Sequence, residues 1–249
     1  MSGHSKWSTI KRKKAATDAQ RSRLWAKLLR AVEVAAREGG GSVDANPTLA
    51  SAVDKARDSS VPMENIERAM RRGTGEVEGE AYEEVTYEGY GPGGVAVLVR
   101  CLTNNRNRAA QDVRRAFTGS GGKLAEPGAV AWMFEPKGIV IVKRASASEE
   151  DVFLLAVDAG AEDVRSSEQS VEVVTPPEAW KPVGEALEGA GVEVESAELT
   201  QVPKSTVPVD RGDAKKVLGL MDALEELDDV QEVFANFDIS DDVLAEVAL

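Results

Sequence analysis

Three stretches near the start of the chain carry apolar residues at helical spacing. From Thr17 onward, Leu24, Leu28, Ala31, Val32 and Ala35 recur three or four positions apart, with Trp25 and Leu29 widening the stripe. This predicts a first helix, closed by Gly39-Gly40-Gly41. Asn46 followed by Pro47 places a capping side chain before a first-turn proline, and Leu49, Ala52, Val53 and Ala56 continue as a second helix. Pro62 opens a third, with Met63, Ile66, Ala69 and Met70 on one face and Gly73 at its end. The predicted product is a small helical bundle. Gly73 to Glu80 is Gly-rich and acidic without an apolar period, which reads as a linker with a boundary near residue 78.

Beyond the linker the pattern becomes that of strands. Tyr82, Val85 and Tyr87 sit in a strand-like run, a Gly/Pro turn spans Gly89 to Gly94, and Val95 to Leu102 is nearly all apolar, as a central strand requires. Ala109, Val113, Ala116 and Phe117 predict a helix, and Ala129 to Phe134 another strand. From Gly138 the order restarts as strand (139–142), helix (148–159), strand (161–165), strand (171–174), helix (178–188) and strand (192–199). That is the βαββαβ order of a ferredoxin-like unit, with Ser148 and Asp151 as a capping pair. A helix carrying Ala214, Val217, Leu218, Met221 and Leu224 and a strand over 230–237 would complete the preceding domain. The expected class is α+β: an N-terminal helical bundle followed by two ferredoxin-like α/β domains, the second inserted in the first. Its expected parts are a basic arm (1–16), a helical domain (17–77), a split α/β domain (78–136 plus 205–249) and an inserted ferredoxin-like domain (137–204).

Charge changes this picture more than composition does. The net charge of the 249-residue chain is −13, yet residues 1–72 hold 15 Lys/Arg against 8 Asp/Glu, a local +7 that leaves −20 for the remainder. The densest part comprises Lys6, Lys11, Arg12, Lys13, Lys14, Arg21, Arg23, Lys27 and Arg30, opposed over the first 30 residues by Asp18 alone. Such a run releases counterions when it neutralises phosphates, and these residues together with Trp7, as a stacking ring, are the candidate nucleic-acid contacts. Arg23, Lys27 and Arg30 share one stripe of the first helix, where they would form a positive ridge beside the apolar face. The bland alternative makes the arm a solubilising tail, or one docked on the protein's own acidic body. Arg106 and Arg108 offer a further phosphate contact, against which stands ordinary pairing with Asp112.

Several function classes are excluded or disfavoured. His4 is the only histidine and Cys101 the only cysteine, which removes histidine triads, Cys/His zinc clusters and intramolecular disulfides. The turn Tyr87 to Gly94 lacks the Lys-Ser/Thr of a phosphate loop, and Gly73-Thr74-Gly75 follows a helix instead of a strand, so no cofactor, catalytic or metal site is expected. No run of eighteen apolar residues and no secretory h-region occurs, which predicts a soluble cytoplasmic protein without membrane contact.

Specific motifs add a resemblance. Ser2-Gly3-His4-Ser5-Lys6-Trp7, Ile10-Lys11, Lys14-Ala15-Ala16, Asn46-Pro47, Asn65-Ile66-Glu67-Arg68-Ala69 with Gly73-Thr74-Gly75, Tyr87 to Gly94 and Asn105-Arg106-Asn107-Arg108 resemble the YebC/PmpR family over essentially the whole chain. It departs from the family pattern at Asn104, commonly Asp, at Ala109 in place of Thr, and over Leu124 to Ala129. The resemblance implies three domains around a central cavity and a cytoplasmic, non-enzymatic regulator, a DNA-binding transcriptional regulator in the first reading. It equally implies an alternative, since mitochondrial relatives resemble translational activators and bacterial ones are associated with ribosomes stalled on proline-rich chains. A protein-interaction module is the third class, distinguished by the absence of salt-sensitive nucleic-acid binding.

Overall fold

The computed structural model describes residues 18–167, 170–240 and 242–243. Among these, 18–129 with 211–233 form one compact unit, and 130–210 with the residues from Phe234 onward form a second. Both mix helices with antiparallel sheets.

The first unit begins with α1 (Asp18–Gly39), α2 (Pro47–Asp58) and α3 (Met63–Gly73). Their apolar stripes meet in a cluster that includes Val32, Ala35, Leu49, Val53, Ile66 and Ala69, with Trp25 packed against it. The Trp25 indole N–H donates to Ser59 O at 3.0 Å, which satisfies its polar edge. Leu24, expected on the stripe, is instead 44 % exposed and lies outside the set of residues packed on this cluster. Met63, expected on the inner face of α3, is also 44 % exposed, in that helix's first turn.

Asn46 fixes the entry to α2. Its Oδ1 accepts from Leu49 N at 3.0 Å, while its Nδ2 donates to Ala35 O at 2.8 Å and Gly40 O at 2.9 Å. One buried side chain thus caps one helix and satisfies the end of another. Asn46→Ala is expected to cost about 2 kcal/mol, above an ordinary cap loss because buried carbonyls lose their donor as well. Chemical denaturation measures it, and a loss under about 0.5 kcal/mol would contradict the dual role.

The sheet of this unit is ordered β3-β1-β2-β9, from β1 (Glu83–Tyr90), β2 (Ala96–Thr103), β3 (Lys123–Leu124) and β9 (Val230–Ala235). The run of β2, apolar but for Arg100 and Thr103, has its expected central place, since strands flank it on both sides and seven of its eight residues are buried. Helix α4 (Arg106–Gly119) packs on β1 and β2 and beside α7 (Arg211–Glu225). Cys101 lies wholly buried in β2, where burial pushes its thiol up to about 12. It therefore stays protonated, and a thiol reagent at pH 8 is expected to leave the folded protein unmodified and to label it fully once unfolded. Labelling of the native protein at the unfolded rate would refute that.

The second unit carries the sheet β5-β6-β4-β7, with β4 (Phe134–Lys143), β5 (Asp163–Ser166), β6 (Ser170–Thr175) and β7 (Val194–Pro203), all antiparallel. Helices α5 (Glu149–Asp158) and α6 (Trp180–Gly189) cover one face through Val152, Ala156, Val183 and Leu187. Ser148 caps α5, accepting from Asp151 N at 3.1 Å and donating to its Oδ2 at 2.6 Å. A parallel pair, β8 (Val207–Pro208) with β10 (Phe237–Asp238), was not expected. Nor does a separate strand occupy 129–134: Ala131–Met133 is a single helical turn, and β4 runs unbroken from Phe134. Pro136 is accommodated within β4 because the strand there has only β7 beside it; β6 joins from Gly138.

Candidate nucleic-acid interface

Of the ten candidate contacts, Lys6, Trp7, Lys11, Arg12, Lys13 and Lys14 lie outside the described residues. The other four are on α1. Arg21 is exposed and has no ion-pair partner among the described residues. Arg23 is 40 % exposed and stands 3.9 Å from Glu226. Lys27 donates to Glu225 O at 2.5 Å. Arg30 reaches further in, donating to Leu102 O at 3.0 Å and to Asp228 O at 2.7 Å, with Asp229 Oδ1 at 3.4 Å. The stripe expected to form an outward ridge is thus turned, at Lys27 and Arg30, toward the segment joining α7 to β9.

Asp229 organises that junction. The sequence Thr103-Asn104-Asn105 ends β2 and starts α4, since Asn105 Oδ1 accepts from Arg108 N at 3.1 Å and caps the helix. The cap sets Arg108 in the first turn, from which its Nη2 meets both Asp229 oxygens at 3.0 and 2.9 Å and its Nε meets Oδ2 at 3.2 Å. The buried Thr103 hydroxyl donates to Asp229 Oδ2 at 3.0 Å and accepts from Asn105 N at 3.0 Å. Leu102 N donates to Asp229 O at 2.8 Å. The carboxylate is only 8 % exposed, and its hydrogen bond holds the Arg108 guanidinium above its ordinary pKa and so permanently charged.

Around this carboxylate opens a cleft of about 860 Å³. The Arg30 guanidinium lies 4.8 Å from the centre of the Tyr82 ring, and burial raises the Tyr82 pKa, with a hydrogen bond to Glu80 adding to the shift. Asn104 bridges the rim, donating to Glu80 Oε2 at 2.6 Å and accepting from Arg108 Nη2 at 2.9 Å. Five acids and three arginines line the cleft, so its positive groups are already neutralised by its own walls. What this arrangement does chemically is hold α1 against the sheet. Arg106 pairs with Glu83 at 3.6 Å, and Asp112 pairs with Arg115, so neither Arg106 nor Arg108 takes Asp112 as its hydrogen-bonded partner.

Sequence reasoning missed two buried acids that organise the cations, Asp229 and Glu33. Glu33, 4 % exposed at its side chain, receives Arg37 at 3.1 Å and Arg72 at 3.2 Å, tying α1 to α3. The signal for Glu33 was its place beside Val32 and Val34 in the middle of an apolar helix. Asp229 gave none, since it closes an acidic run that reads as solvated. Other described cations remain without an ion-pair partner: Arg57, Arg71, Arg114, Lys123, Lys181, Lys204 and Lys215.

In the first unit a three-helix head is joined to an antiparallel sheet by arginine–carboxylate pairing, and no metal-binding cluster occurs among the described residues. Residues 5–76 match the TACO1/YebC N-terminal domain and residues 82–237 match the TACO1/YebC second and third domains; the chain belongs to this family. It is 56 % identical over the full length of both chains to a "Probable transcriptional regulatory protein" of Rubrobacter xylanophilus. Proteins of the same name from Dictyoglomus turgidum and Thermotoga maritima are 52 % and 51 % identical, each match covering at least 98 % of both chains. A crystal structure of a conserved hypothetical protein from Aquifex aeolicus superimposes with a TM-score of 0.82 at 49 % identity, covering 92 % of this chain and 95 % of that one.

Proposed function

We propose that this chain is a non-enzymatic, cytoplasmic regulator of gene expression that binds DNA phosphates through its basic arm and the exposed start of α1, acting on transcription. The observation that carries the reading is the concentration of nine cations in the first 30 residues of a chain whose net charge is −13. The name borne by the relatives supports it. In this reading Lys6, Trp7, Lys11, Arg12, Lys13, Lys14, Arg21 and Arg23 meet the polymer. Lys27 and Arg30 keep α1 seated and reach phosphate only by exchanging their carbonyl partners. The ferredoxin-like insertion proposed over 137–204 supplies partner contacts.

A second reading, a ribosome-associated translation factor using the same cations on ribosomal RNA, has one observation in its favour. Lys27 and Arg30 are bonded to protein carbonyls, so α1 does not offer its cationic stripe to a DNA major groove, a loss that matters less on folded RNA. Gradient fractionation of lysate, compared with promoter-DNA retention, separates the two when each is run with and without residues 1–16. DNA retention that disappears on truncation supports the transcriptional reading. Ribosome co-sedimentation that disappears while DNA never binds replaces it with the second, and the absence of both leaves a protein-interaction module.

A further inference from the structure

On the sheet of the first unit, β3 lies beside β1 in a register that sets Tyr90 opposite Lys123 and Gly89 opposite Leu124. This brings the β1–β2 turn next to the loop that leaves α4, and the two enclose a cleft of about 540 Å³ lined by Tyr90, Gly91, Gly94, Gly121, Gly122 and Lys123. Two of its glycines, Gly94 (φ +78°) and Gly121 (φ +80°), hold backbone conformations that other residues adopt only with strain, and open space surrounds the position a side chain would take. The walls there are bare peptide. The Tyr90 hydroxyl donates to Ala129 O at 3.1 Å, which fixes the half-buried ring in the cleft. Lys123 is exposed, its Nζ 6.0 Å from the centre of that ring, and among the described residues no carboxylate pairs with it. In so acidic a chain, an ammonium left without an acid beside a pinned aromatic ring in a cleft is a distinctive combination.

A flat ring, one unneutralised cation and side-chain-free walls suit a ligand that is planar, singly anionic and extended. A nucleoside triphosphate would leave most of its charge uncompensated here, and a duplex keeps its bases stacked and out of reach. We infer that this cleft is a single-strand nucleic-acid subsite, in which one unstacked base lies against Tyr90 and an adjoining phosphodiester meets Lys123. The inference rests on the nucleic-acid reading above and extends it to a contact independent of the arm. Because every base has an aromatic face, the subsite is tolerant of sequence.

Fluorescence anisotropy on the full chain tests it, with labelled oligo-U RNA and oligo-dT of about 12 nucleotides as probes and a duplex of equal length as control. Lys123→Gln is expected to weaken single-strand binding about fivefold and to make the log–log salt slope shallower by about 0.7, the share of one phosphate. Tyr90→Ala is expected to weaken it about tenfold, whereas Tyr90→Phe retains the ring and most of the affinity. Duplex binding is expected to stay within about twofold throughout. Should Tyr90→Ala fail to fold, photocrosslinking of 4-thiouridine RNA to the unaltered protein gives the answer, with adducts expected in the peptides containing Tyr90 or Lys123. Affinities unchanged by Lys123→Gln together with crosslinks confined to other peptides would overturn the subsite while leaving arm-dependent binding intact. Failure of every probe, duplex included, would overturn the nucleic-acid reading and the subsite with it. The RNA and DNA arms of the assay tell which polymer is preferred.

Discussion

Replacing Lys11, Arg12, Lys13 and Lys14 together by alanine is expected to collapse the salt dependence of duplex binding. If six cations of the arm and α1 neutralise phosphates, affinity in the native protein falls about a thousandfold between about 50 and 200 mM salt. With four of the six removed, the same interval is expected to cost only about tenfold, because each lost contact takes about 0.9 from the log–log slope. Anisotropy titrations at four or five salt concentrations measure the slope directly, without requiring the absolute affinity to be known. The rest of the chain, at −20, repels a polyphosphate, but charges lying more than a Debye length of about 8 Å from the contact are largely screened at physiological salt. A local positive segment can therefore prevail over a larger negative total. An unchanged slope in the quadruple variant would mean that the phosphates are met elsewhere, and the density of charge in the arm would then serve solubility.

Helix positions in the head were legible because burial there repeats every three or four residues: Leu49, Val53 and Ala56 lie where the spacing puts them. The central place of β2 was legible for a related reason, since a strand covered on both faces cannot carry an alternating pattern. Pairings across long separations were not. An amphipathic stripe shows which side of α1 is apolar, but the charged residues flanking it can face either water or another part of the chain. For Arg30 the choice is made by Asp229, 199 positions away, through a junction whose acidic composition looks like solvated surface. The cleft at Tyr90 was hidden in the same way, because a two-strand register, not a motif, brings Lys123 beside it.

Asp229→Ala is expected to destabilise the first unit by about 3 kcal/mol. The carboxylate is 8 % exposed and accepts from Thr103, Arg108 and Arg30, so its loss takes a buried acceptor from all three, although Arg30 keeps the Leu102 and Asp228 carbonyls. They do not suffer equally. The Arg108 side chain is 49 % exposed and can turn to water, whereas Arg30 is only 15 % exposed and Thr103 is wholly buried. Breaking a buried pair by removing one partner costs about 3–5 kcal/mol, and resolvation of Arg108 places this case at the lower end. For a chain of this size the unfolding midpoint is then expected to fall by about 6–12 °C. Arg108→Ala leaves Asp229 with Arg30 and Thr103 and is expected to cost only about 1 kcal/mol, so the two variants calibrate each other. The same loss leaves the half-exposed Arg108 guanidinium without its carboxylate, and Asp229→Ala, measured well below its midpoint, is expected to bind duplex DNA more tightly at low salt than the native protein. A midpoint shift under about 3 °C would show that carbonyl bonds from Lys27 and Arg30 suffice to seat α1 and that the carboxylate is dispensable.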